Sequence, residues 1–128
     1  MEPKNFQEIF NNILGYLPKK WKKVALYFAF SGNMVSHKFY VDCGKGYIDC
    51  FQMGYDKAIL RQIFFSIEDI LINERESLPE GNVWNVFTMF ISASGKFDTN
   101  YDYTDLSETF IDYQDNWEKN YIFNTEKL

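Results

Sequence analysis

Seven carboxylates fall between Asp98 and Glu118, and no lysine, arginine or histidine interrupts them. They are Asp98, Asp102, Asp105, Glu108, Asp112, Asp115 and Glu118, interleaved with Tyr101, Tyr103, Tyr113 and Trp117. The chain has a formal charge of −5 and this span carries −7, so the remainder is slightly basic at +2. The acidity is therefore local. Carboxylates at this density have three uses: holding a divalent cation, shuttling protons, or matching a basic protein surface.

The run Asp98-x-Asn100-x-Asp102 imitates the opening of a calcium-binding loop, in which alternate oxygens wrap the ion. Such a loop needs glycine at its sixth position and glutamate at its twelfth, and here those are Tyr103 and Thr109. Glu108 arrives one residue early, so no metal site is expected. General acid–base work requires a carboxylate set apart by burial or by a charged neighbour, and nothing in the pattern singles one out. The only histidine, His37, lies in a strand-like run with no nucleophile motif beside it, and it is expected to face solvent. A phosphate-binding glycine loop is absent. Two cysteines and one histidine are too few for a structural zinc site. The chain is read as a binder rather than an enzyme, with no catalytic residues and no cofactor.

The third use remains. Charges of one sign steer an oppositely charged partner, and interleaved Tyr and Trp supply the desolvated anchors that dominate interface energy. The alternative is a solvated acidic surface with no partner, and composition alone leaves the two readings balanced.

These residues must be positioned by a chain of 128 residues, 46% hydrophobic and 24% charged, which fits one domain over 1–128 with a real core. No window approaches the roughly 18 consecutive apolar residues of a membrane span. The start, Met-Glu-Pro-Lys-Asn, is not a basic-then-apolar signal. The cytoplasm is the expected location, with Cys43 and Cys50 as reduced thiols. Lys19, Lys20, Lys22 and Lys23 flank Trp21, but no wider basic surface joins them, so they read as a solvated loop and not as a nucleic-acid contact.

Apolar residues Phe6, Ile9, Phe10, Ile13, Leu14 and Leu17 recur at helical spacing, predicting a helix over 5–17 that Pro18 closes. Val24 to Phe30 is a near-continuous apolar run that reads as a central strand. Strands follow over His37 to Val41 and Tyr47 to Phe51, each after a glycine turn. Leu60, Ile63, Phe64, Ile67, Ile70 and Leu71 make one stripe of a helix over 56–73, with Asp56 as its N-cap. Val83 to Ser92 and Lys96 to Tyr103 read as a hairpin, with Gly95 at the positive-φ position of the turn. Period-two alternation puts Phe97, Thr99, Tyr101 and Tyr103 on the core side and Asp98, Asn100 and Asp102 toward water. The spacing Tyr113, Trp117, Tyr121 predicts a last helix over 111–121, whose aromatic stripe reads as a packing face before it reads as a ligand site. The order α-β-β-β-α-β-β-α, with hairpin-length links within each strand group, predicts a single α+β domain with an antiparallel sheet of about five strands packed by helices.

Several blocks resemble one known family. Trp21-Lys22-Lys23-Val24-Ala25-Leu26-Tyr27 is similar to the Trp-x-Lys-Val-x-Leu-Tyr opening strand of the YezG-like antitoxins. Trp84 to Thr88 with Phe90, Gly95-Lys96-Phe97, and Asp98 to Asp102 with Tyr103, Asp105, Leu106, Ser107 and Glu108 match the same family, and Trp117, Glu118, Lys119 and Tyr121 resemble its closing helix. The resemblance implies an immunity protein that binds the toxic C-terminal domain, often a nuclease, of an LXG-type polymorphic toxin exported by a type VII system. It implies a protein partner, and neither direct nucleic-acid binding, nor a membrane, nor a small-molecule substrate. Taken with the charge pattern, the expected partner-binding residues are Asp98, Asp102, Tyr103, Asp105, Glu108, Asp112 and Trp117. The competing expectation is a non-enzymatic interaction adaptor with no toxin partner.

Overall fold

The long apolar run becomes β1, Lys23–Ser31, and it is the centre of the molecule. A computed structural model describes residues 1–123. Its five strands lie in the order β3-β2-β1-β4-β5, with every neighbouring pair antiparallel. The others are β2 (Met34–Asp42), β3 (Tyr47–Asp49), β4 (Val86–Ser92) and β5 (Phe97–Asp102). Three helices complete the predicted order: α1 (Pro3–Leu14), α2 (Lys57–Glu76) and α3 (Phe110–Tyr121).

Both faces of the sheet are covered, which explains why β1 does not alternate. Val24, Leu26, Phe28 and Phe30 point to one side and pack with Ile9 and Ile13 of α1 and Leu60, Ile63, Phe64, Ile67 and Leu71 of α2. Ala25, Tyr27 and Ala29 point to the other side and pack with Trp117 of α3, Leu106 and Tyr40. The large-residue face takes two helices. The face with two alanines takes one, held close around Tyr27.

Local signals set most boundaries. Pro3 starts α1, where a missing N–H costs nothing. The helix ends at Leu14, earlier than the predicted 17, so Pro18 lies beyond it, although Leu17 still packs on the core. Asp56 caps α2 as predicted, its side chain accepting from the Ala58 N–H at 2.9 Å. Gly95 takes φ +93° in the β4–β5 turn. The third strand is shorter than predicted: after Asp49 the chain tightens into a 3-10 turn over Cys50–Gln52, capped by the Asp49 carboxylate. Likewise β4 begins at Val86 rather than at 83. Cys43 is exposed, Cys50 is buried, and both are free thiols.

Some face assignments need correction, beginning with His37 and Tyr103. His37 does not face solvent. It points toward α2, half-buried, with its ring stacked on Phe64 at 4.1 Å between centroids and 15° between planes. Tyr103 does not cover the core either. The strand stops at Asp102, and Tyr103 is 58% exposed in the loop that follows.

Candidate functional site

The acidic span folds into three pieces: strand β5, a loop over 103–109, and helix α3. Each holds its carboxylates differently. At the end of β5, Asp102 is half-buried, because α3 lies across this face of the sheet. Its Oδ1 accepts from the Thr104 N–H at 2.8 Å and from the Thr104 hydroxyl at 2.6 Å, and its Oδ2 accepts from the Tyr113 hydroxyl. Burial opposes ionisation of Asp102, but the bonds from Thr104 and Tyr113 outweigh it and hold the carboxyl below the usual carboxylate range. For Tyr113 the same contact works the other way, since burial and the Asp102 carboxylate both push the phenol up. Asp102 is thus a clasp between strand, loop and helix rather than the water-facing acid that strand periodicity predicted.

The loop is anchored on both sides. Asn85 donates through Nδ2 to the Thr104 carbonyl at 2.8 Å, and its Oδ1 accepts from the Arg75 guanidinium at 3.3 Å. Leu106 plugs the core beneath α3. Asp105 accepts from the Ser107 N–H at 2.9 Å, which favours its charged form and lowers its pKa. Its side chain stays exposed.

Trp117, an expected partner contact, is 5% exposed and belongs to the core instead. Its ring packs against Tyr27 at 4.8 Å, Tyr40 at 5.8 Å and Tyr121 at 5.6 Å between centroids. The stripe Tyr113, Trp117, Tyr121 is the packing face of α3, with Tyr121 at its margin. Glu118 is half-buried and lies 3.9 Å from Lys38, so it too is withdrawn from the free surface.

What stays outside is a smaller set. Glu108, Asp112 and Asp115 are exposed, and among them stands Ile111, 72% exposed and the most exposed large apolar side chain among the described residues. Glu108, Ile111 and Asp112 line one shallow depression at the start of α3. Ile111 was missed in the sequence, yet a signal existed: two residues from Tyr113 on a helix is about 200° away, off the packing stripe. Asp98 is exposed but apart. It lines a different cleft, together with Lys23, Lys96, Phe90 and Tyr47. The structure therefore gathers Glu108 and Asp112, keeps Asp105 and Tyr103 exposed on the preceding loop, and separates Asp98, Asp102 and Trp117 from them.

The arrangement offers hydrogen-bond acceptors and an apolar anchor. Among the described residues, no three His, Cys, Asp or Glu side chains are grouped to hold a metal ion, and no helix is long and apolar enough to cross a membrane. A model of YezG-like immunity proteins matches residues 3–128, from the first helix through the acidic span. The chain belongs to the YezG-like immunity protein family. No curated protein matches it. Of the seven expected residues, four are exposed and lie on the loop or the first turn of α3: Tyr103, Asp105, Glu108 and Asp112.

Proposed function

We propose that this immunity protein is the cytoplasmic antitoxin of a secreted LXG-type toxin, and that it neutralises a nuclease domain by covering its phosphate-binding surface. The contact surface in this reading is the loop over 103–109 and the outer side of α3. Asp105, Glu108 and Asp112 supply the charge, and Ile111 and Tyr103 supply the desolvated anchors. A nuclease needs cationic side chains to hold phosphates, and a protein surface of opposite sign can occupy them and exclude the substrate. The observation that carries the reading is Ile111, a large apolar side chain 72% exposed on a helix turn bordered by carboxylates. An apolar anchor ringed by charge is the layout of an interface hot spot with its polar rim. The reading assigns no reaction to the chain.

Co-expression with the toxin encoded beside its gene tests the class: growth is expected to be restored, and persistent growth arrest would sink the antitoxin reading. The surface is tested separately by the triple variant Asp105→Asn, Glu108→Gln, Asp112→Asn. It is expected to bind the toxin at least about tenfold more weakly, a loss of ~1.4 kcal/mol, and with a flatter salt dependence. Unchanged affinity and salt dependence would leave the family assignment intact but place the contact elsewhere.

A further inference from the structure

The other side of the sheet carries a surface of opposite character. Where the first turns of α2 meet the 3-10 turn after β3, a cleft of about 410 Å³ opens, lined by Phe51, Leu60, Phe64 and Phe65. Leu60 and Phe64 are buried and form its floor. Phe51 and Phe65 stand over it, 57% and 56% exposed. Two phenylalanines left more than half in water forgo part of the gain from burial, and such patches on a folded chain mark interaction surfaces.

The rim is cationic. Lys57 and Arg61 lie one turn apart on α2, both exposed, and neither has an ion pair or a side-chain hydrogen bond among the described residues. No carboxylate lines the cleft. Outside the acidic span the chain sums to +2, and these two cations beside exposed aromatic rings give that remainder a local focus. Carboxylates suit the rim, since a guanidinium holds them bidentately, and an aliphatic or aromatic side chain suits the floor.

We propose that this cleft docks an acidic peptide segment of a protein partner, with one bulky apolar residue seated on Phe64 between Phe51 and Phe65 and flanking carboxylates on Lys57 and Arg61. The proposal is independent of the toxin-facing surface, because α2 and α3 cover opposite faces of the sheet. An immunity protein built this way holds a basic surface on one side and an acidic segment on the other.

The full chain is titrated into a fluorescein-labelled hexapeptide whose central Leu-Phe pair is flanked by two carboxylates on each side. A counterpart with Asn and Gln replacing those carboxylates serves as control. Saturable binding is expected, at least about tenfold tighter for the acidic peptide at low salt, and about tenfold weaker in Arg61→Glu and in Phe65→Ala. Both substitutions fall on exposed side chains, and unchanged urea midpoints establish that the fold is intact. Equal binding of the two peptides, or affinity untouched by either substitution, overturns the proposal. A second copy of the chain is the competing occupant, because Ile111 between Glu108 and Asp112 has the same chemistry. Sedimentation equilibrium separates the two. A monomer supports the peptide reading, and a dimer that Arg61→Glu dissolves overturns it.

Discussion

The Tyr113 hydroxyl donates to the Asp102 carboxylate, and so the first turn of α3 is tied to the last residue of the edge strand β5. The same carboxylate holds Thr104 by its N–H and its hydroxyl. One side chain thereby sets the path of the loop that presents Tyr103, Asp105 and Glu108. The acids of this span divide into one that builds the surface and several that form it.

Replacing Tyr113 with Phe removes one bond to a charged group and leaves the ring packed. The expected cost is ~1.5–3 kcal/mol, the range for hydrogen bonds to charged partners. Asp102→Asn should also destabilise, and it should flatten the acid limb of the stability profile. The sign follows from the depressed folded pKa of Asp102. Its stabilisation is fully present above the unfolded value of about 3.9 and is lost as pH falls through the folded value. Urea unfolding at pH 7 and across pH 5 to 2 measures both, and an Asp102→Asn variant with the parent's acid limb would contradict the clasp.

Ala25 and Ala29 flank Tyr27 on the face under α3, and both are fully buried. A leucine at position 29 must push α3 away or force its neighbours off their rotamers. Ala29→Leu is therefore expected to cost ~1–3 kcal/mol. The expectation fails if Ala29→Leu unfolds at the parent's urea midpoint.

The elements and their order were legible because periodicity, caps and turn glycines are local. Asp56, Gly95 and the run Val24–Phe30 carry their own physical reasons. The candidate site was less legible because period two assigns faces without saying what covers them. Asp102 and His37 were both placed toward water by default, and each faces a helix. α3 covers the first and α2 the second, and which face a helix takes depends on strand order, here β3-β2-β1-β4-β5. Trp117 went astray for the complementary reason. Aromatics rank high as interface anchors, but the alanines of β1 had already made room for this one.

His37 provides a test of its corrected environment. Burial against Phe64 lowers its pKa below the ordinary value. A histidine with a depressed folded pKa stabilises the fold above the unfolded value of about 6.5, and the contribution is lost as pH falls and the unfolded chain takes up the proton more readily. The unfolding midpoint is expected to decline between pH 8 and pH 5, and His37→Phe should reduce that slope. The imidazole resonances, which come from the only histidine in the chain, should titrate below pH 6.5. Titration at or above that value would return His37 to the solvent.

The two cysteines should part company in their reactivity. Cys43 is exposed, whereas Cys50 is fully buried and its thiol is pushed up to about 12, chiefly by burial. Thiolate is the reactive species, so Cys50 is doubly protected, by access and by protonation. A disulfide-exchange reagent at pH 8 is expected to label one thiol per chain promptly in the native state. The second should follow slowly, as the turn over Cys50–Gln52 opens, and both should react at once in denaturant. Since Cys50 opens the 3-10 turn that leads toward Phe51, its labelling rate also reports how often that wall of the cleft opens. Prompt reaction of both thiols in the folded protein would mean that the turn over Cys50–Gln52 opens far more readily than its packing on the core allows.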